Sequence, residues 1–432
     1  MTVTVNFTSI PSRFDKLQAV IDNLKTHESV DEIYIHIPKK YTVKHFENVP
    51  LNVQGAIVNY VDDDHGPCRR YTHAKGDDVI IIIDDDTWYH PDISKELVKR
   101  HRESGHIWGG SGFNFRKYFL GDYSKTNGEE VQVLEGFGMI VLNRKIIDTI
   151  REDVLKYYQY FNTTDDILLN NLYEKYKFQR FYYCEPHWVK QLDYGFHEDA
   201  LHKQNNGSHH TAYKKSLLKL RDMNQMFFKP LVTYAITVCN EATELRNLLE
   251  MLMDTIVHSD EIVVLVDSSK VTQDVYNVLR QFSHIRYDTQ LFDGNFANHK
   301  NKFKNMAKGE FIFQIDADEV PTGTLVEKLY ILTHADLVYI PRVNIMLGMT
   351  ETDIKIHGFS LNESGFINFP DLQGRFYRKN LTWSGTVHER ITGAQRVSQL
   401  PPDPKISLWH VKTARKSMMQ RNFYENMSKN VR

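Results

Sequence analysis

Two apolar runs in this chain end in the same polar way. Residues 79–83, Val-Ile-Ile-Ile-Ile, run into Asp84-Asp85-Asp86, and residues 311–315, Phe-Ile-Phe-Gln-Ile, run into Asp316-Ala317-Asp318. A short, mostly β-branched and aromatic run of this kind suits a strand buried on both faces of a mostly parallel sheet. The pattern upstream also repeats. Residues 2–7 predict a strand, 14–25 a helix carrying Leu17, Ile21 and Leu24, and 31–37 a second strand stopped by Pro38. In the second half residues 232–238 predict a strand. A helix with Leu245, Leu248, Leu249 and Leu252 follows, started by Asn240-Glu241 with Asn240 as a suitable N-cap, and then a strand over 261–266. Asp84 lies 83 residues after Met1, and Asp316 lies 85 after Leu231. Equal spacing of strand, helix, strand and acidic end predicts two βαβ-based domains of one α/β fold.

A length of 432 residues also exceeds what one hydrophobic core usually serves. The expected division is a domain over 1–205, a basic helical linker over 206–230, and a domain over 231–432. The break is placed at the polar stretch 205–210, ahead of Lys214, Lys215, Lys219 and Arg221, and Lys229-Pro230 leads into the second opening strand. Residues 405–432 carry seven basic residues against one acid, Glu425. A solvated helix face explains this first, and contact with phosphates or a membrane surface is the minor alternative.

Composition narrows the function. A net charge of −2 gives no global attraction to nucleic acid or anionic membrane, so phosphate binding must be local. No apolar run approaches a membrane span, and residues 2–7 read as a strand rather than a signal peptide. Three scattered cysteines, Cys68, Cys184 and Cys239, suit a reducing compartment and lack metal-ligand spacing. The expected location is the cytoplasm, or a host's cytoplasm for a viral protein.

The acids carry the chemistry. At the carboxyl end of a parallel strand they face the crevice where open α/β sheets bind ligands. Aspartates spaced i, i+2 can share one hard divalent cation such as Mn2+ or Mg2+.

The second half resembles a family 2 glycosyltransferase of the GT-A (nucleotide-diphosphosugar transferase, Rossmann-like) fold. The resemblance rests on an ordered set across 231–321: Thr237-Val238-Cys239-Asn240-Glu241, residues 260–267 ending in Asp267, Asn298-His299-Lys300-Asn301, Ala307-Lys308-Gly309-Glu310, and Ile315-Asp316-Ala317-Asp318-Glu319. It implies a nucleotide-diphosphate sugar as donor, with Glu241 and Asp267 against base and ribose and Lys300 near the diphosphate. Asp316 and Asp318 would hold a cation that neutralises the leaving diphosphate. Residues 374–378 and 383–390 resemble the acceptor half of related enzymes. Inverting transfer needs a carboxylate to take the acceptor proton. Glu389 is the first candidate, Asp371 the second, and His410 a third metal or phosphate ligand. Structural roles for His388 and His410 remain open beside this.

The first half resembles a different GT-A branch through Gly66-Pro67, Arg69-Arg70, Asp84-Asp85-Asp86 and Tyr89-His90-Pro91. This implies a second sheet of the same mixed, mostly parallel kind. Arg13, Arg69 and Arg70 are candidate diphosphate partners, with a surface role as alternative. Asp84, Asp85 and Asp86 are candidate donor and metal residues. Asp165 or Asp166 is the candidate base, although Thr164 as N-cap with acids in the first turn explains the pair structurally. His202, and more weakly His197, are candidate final metal ligands.

The leading expectation is a bifunctional, metal-dependent glycosyltransferase adding sugars to a glycan, a lipid-linked saccharide or another hydroxyl acceptor. One active domain beside an acceptor-binding module is the alternative, and nucleic acid enters only as an acceptor, through modified DNA bases. A nucleotidyltransferase would want a Gly-rich loop that neither opening strand supplies. A carbohydrate-binding protein would not need dense acids at both sheet edges.

Overall fold

The computed structural model describes residues 2–42, 46–47, 49–119, 121–192, 209–256, 259–282, 284–386 and 389–420. The candidates His197, His202 and His388, residues 205–208 of the expected break and residues 421–432 of the basic tail lie outside them. The chain divides into two compact units, Met1–Phe228 and Lys229–Arg432.

The first unit is built on a seven-stranded sheet. Its strands are β1 (Val3–Thr8), β2 (Glu32–Pro38), β3 (Ile57–Val61), β4 (Val79–Ile82), β5 (Ile107–Gly109), β6 (Ile140–Asn143) and β7 (Arg180–Tyr182), in the order β7-β5-β6-β4-β1-β2-β3. β1, β2, β3 and β4 run parallel, and β6 runs antiparallel between β4 and β5. The run at 79–83 is buried on both faces, which is why it carries no polar residue until its carboxyl end. At roughly 1.5–3 kcal/mol per buried aliphatic side chain, this strand is a large share of what holds the sheet. Tyr89-His90-Pro91 then starts the helix Pro91–Ser104: His90 caps it by accepting from the Asp92 amide, Pro91 takes the first position, and Gly105 ends it at φ 72°.

The second unit repeats the plan with β8 (Val232–Val238), β9 (Glu261–Asp267), β10 (Arg286–Gln290), β11 (Phe311–Asp316), β12 (Leu337–Ile340), β13 (Gln373–Arg378) and β14 (Val397–Gln399), in the order β10-β9-β8-β11-β13-β12-β14. Position for position this is the first sheet's order, with β13 taking the antiparallel place of β6. Two mixed, mostly parallel sheets with the GT-A strand order therefore stand in tandem. A smaller sheet, Glu319–Pro321, Leu408–Thr413 and Arg342–Leu347, adjoins the second one and sets Glu319 opposite His410.

Three local expectations are corrected. The basic helix, His209–Asp222, packs within the first unit rather than standing free: Ser216 bonds Thr164, and Asn171 bonds the Gln225 carbonyl and the Phe227 amide. Asn240 is not the N-cap of the next helix, because Ala242–Thr255 begins one residue later, after Glu241. In the basic tail the strand Leu408–Thr413 precedes a helix over 414–420, so only that later part answers to the expected helix face.

Candidate active site

In the second unit the carboxyl ends of β8, β9 and β11 bring Glu241, Asp267, Asp316 and Asp318 to one edge of the sheet. Glu241 folds back to accept from the amides of Cys239 and Asn240, both at 3.0 Å. Asp267 fixes the turn after β9 by accepting from the Ser269 amide at 2.8 Å. Both carboxylates shape loops as well as facing the edge.

Asp316 ends β11 opposite Thr237. Its carboxylate accepts from the Thr237 hydroxyl at 2.6 Å and pairs with Arg375 at 2.7 Å. Burial would raise its pKa, but Arg375 and Lys300 overcome this and hold the group well below the usual carboxylate range. Asp318 lies 3.4 Å from His410 and 3.1 Å from Lys416. Burial opposes ionisation there too, and the His410 hydrogen bond and charge bring its pKa down to about 2.

Behind these acids lies a network the sequence did not announce. Glu319 is fully buried and bridges Arg342 at 2.8 Å and Arg375 at 2.6 Å, while also accepting from the Asp316 amide at 3.1 Å. Arg342 continues to Asp371 at 2.7 Å. Two guanidinium groups thus face Asp316, Glu319 and Asp371. With Asp318 close by, four carboxylates meet these two guanidinium groups, and Lys300, Lys412 and Lys416 stand at the rim of the cluster. Such a cluster, with carboxylate oxygens and an imidazole as donors, suits a divalent cation.

Asp318 and His410 lie 3.4 Å apart, a spacing that one cation could bridge. Asp316 is turned to Arg375, and among the described residues it does not complete a three-ligand cluster with them. It fits a cation site through water, or after Arg375 gives way. Asp371 is held by Arg342, by Asn344 at 2.7 Å and by Gln373 at 2.8 Å; burial opposes its ionisation, but these partners keep its pKa low. A carboxylate so fully engaged is a poor proton acceptor. Glu389 instead pairs with Lys300, at 2.6 Å, with the Lys300 ammonium 4.5 Å from the centre of the Trp383 ring. The two residues expected near diphosphate and acceptor are therefore brought together.

The first unit treats its acids differently. Asp84 pairs with Arg70, and Asp85 and Asp86 pair with Arg13. Arg70 also reaches Asp165 at 2.9 Å. Arg69 is spent on Asp64, at 2.5 Å, and on the Thr8 hydroxyl, at 2.9 Å. Arg69 and Arg70 are 2% and 4% exposed, so the alternative that they are surface charges is corrected: they are interior ion-pair residues. Asp166 accepts from the Gly136 amide at 3.1 Å. Its pKa is pushed well up by burial and by the neighbouring Asp165, a direction suited to a group that exchanges protons. Thr164 precedes the helix Asp165–Lys175, but its hydroxyl bonds Ser216 rather than capping it.

A family model covers one stretch of the second unit. Residues 233–383 match the family model described as "Glycosyl transferase family 2". No curated protein matches the chain. Among solved structures, S. aureus TarS is 16% identical, with 42% of this chain and 36% of that chain covered and a TM-score of 0.30. S. aureus TarS 1-349 in complex with UDP-GlcNAc is 15% identical over 42% and 58%, at 0.29. The mannosyltransferase PcManGT from Pyrobaculum calidifontis, in complex with GDP-Man and Mn2+, is 13% identical over 42% and 57%, at 0.28. The chain thus spans between 36% and 58% of the length of these three structures. Across residues 233–383 the second unit is a glycosyl transferase family 2 domain.

Proposed function

We propose that the second unit transfers a sugar from a nucleotide-diphosphate donor to a hydroxyl acceptor with inversion at the anomeric carbon. The observation that carries this reading is that the family-matched segment lays Glu241, Asp267, Asp316 and Asp318 along one sheet edge. Glu241 and Asp267 contact base and ribose. Lys300 binds the diphosphate, and in doing so releases Glu389. Glu389 then accepts the proton of the attacking hydroxyl as the nucleoside diphosphate departs. Asp316, Asp318 and His410 would hold Mn2+ or Mg2+, which supplies Lewis-acid neutralisation of the leaving diphosphate.

Glu389→Gln tests the base. Transfer to the acceptor should fall by about 10²–10⁴-fold while donor affinity, measured by calorimetry, holds. Unchanged transfer would remove Glu389 from the role.

The matching strand order of the first unit supports a second transferase with its own donor, and thus a bifunctional chain acting on a glycan, a lipid-linked saccharide or another acceptor in the cytoplasm. One observation favours a narrower reading. Asp84, Asp85, Asp86 and Asp165 are each engaged by Arg13 or Arg70, which suits an acceptor-binding module as well as a resting donor site. Donors still consumed after Asp318→Asn would report an active first unit. Among the described residues no helix is long and apolar enough to cross a membrane.

A further inference from the structure

One group of side chains in the first unit serves none of these roles. Asp63, His65 and His73 each place a ligand atom within 4.8 Å of the others. Asp63 and His65 flank Asp64 in the loop after β3. His73 follows the helix Arg69–Thr72 and ends it, its amide bonding the Arg69 carbonyl at 3.0 Å. The loop is fixed through Asp64, which accepts from the Thr42 amide at 2.7 Å and the Gly66 amide at 3.1 Å and pairs with Arg69. Asp64 thereby fixes the backbone on which its two neighbours sit.

The two imidazoles are stacked, 5.3 Å between centres and 11° from parallel. His65 uses Nδ1 on the Thr72 hydroxyl at 2.9 Å, which leaves Nε2 for a ligand. The Nε2 of His73 is buried with no hydrogen-bond partner. A buried polar atom left so costs about 1–3 kcal/mol, and a bound cation would recover it. Burial lowers the pKa of both rings, that of His73 to about 4 with His65 and Arg151 adding to the effect. At neutral pH both rings carry the lone pair that a metal needs. The Asp63 carboxylate opposes the positive charge of Arg69 and Arg151 in this corner.

We propose that Asp63, His65 and His73 form a binding site for a late first-row divalent cation, Zn2+ in particular. Two imidazoles and one carboxylate suit that class better than Mg2+ or Ca2+, which want more oxygen. Bonds near 2.1 Å in a tetrahedral site put ligand atoms about 3.4 Å apart, so small rotations of the exposed Asp63 and of His73 close the site, with water as the fourth ligand. The ion would clip the loop after β3 to the helix that carries Arg69 and Arg70. It would brace the first unit and take no part in sugar transfer.

The test uses the full chain, stripped with chelator and titrated with Zn2+ under equilibrium dialysis, with Co2+ absorption as reporter of His and carboxylate ligation. Asp318→Asn removes the competing cation site of the second unit. The wild type and Asp318→Asn should each retain a zinc ion showing His ligation, and zinc should raise the melting temperature of both. Asp63→Asn, a substitution at an exposed side chain, and His73→Ala should lose that ion and the thermal shift. Circular dichroism identifies any variant that fails to fold, and Asp63→Asn then decides alone. Zinc uptake by Asp63→Asn equal to wild type, its loss in Asp318→Asn, or no uptake by the wild type would each overturn the proposal.

Discussion

Asp316 and Asp318 sit two residues apart but in different company, the first with Arg375 and Thr237, the second with His410 and Lys416. The candidate acids were visible in the sequence because an apolar strand ends at them. Their partners were not: Arg375 lies 59 residues beyond Asp316, and Arg70 lies 95 before Asp165. No local pattern encodes such pairings. Glu319 was hidden for the same reason: its partners Arg342 and Arg375 lie far along the chain.

Buried histidines give a consequence in solution. His27 is 2% exposed, bonded to Ser94 and to the Tyr89 carbonyl, and burial lowers its pKa from 6.5 to about 4. The folded state resists protonation that the unfolded state accepts. Stability from this group is therefore full above pH 6.5 and is lost as pH falls through about 4. The shift corresponds to roughly 3 kcal/mol. His27→Gln should lessen the loss of urea stability between pH 7 and pH 4; an unchanged pH dependence would show that the ring titrates normally.

At the level of strands and helices, burial on both faces made the parallel strands legible, since β4 and β11 admit little but apolar residues. The short strands Glu319–Pro321 and Arg342–Leu347 were not legible, because a few residues with charged members carry no period. The helix His209–Asp222 reads as a linker because its basic residues look like a solvated face. Its apolar positions Leu217 and Leu220 are in fact buried in the first unit. Glycine marks where elements touch. A Cβ on Gly136 would come within 2.5 Å of the Arg70 guanidinium, which there reaches Asp84 and Asp165. Gly136→Ala should destabilise the first unit by about 1–3 kcal/mol, read as a lower urea midpoint. An unchanged midpoint would mean that Arg70 can move aside freely.

Across the whole chain, two sheets share one strand order, and both end their fourth strand in acids. The fold repeats more faithfully than the chemistry. In the first unit the acids are closed off by arginines; in the second, Asp318 and Glu389 each face a lysine that a donor or cation can displace. That difference supports the second unit as the place of the proposed sugar transfer. Nucleoside diphosphate release should therefore be measured for the full chain and for Asp318→Asn, with Mn2+, over a panel of UDP-, GDP- and CDP-sugars. Turnover of at least one donor by the wild type, reduced about 10²-fold or more in a folded Asp318→Asn, is the expected result. Equal turnover of every donor by the two proteins, or none by the wild type, would contradict it.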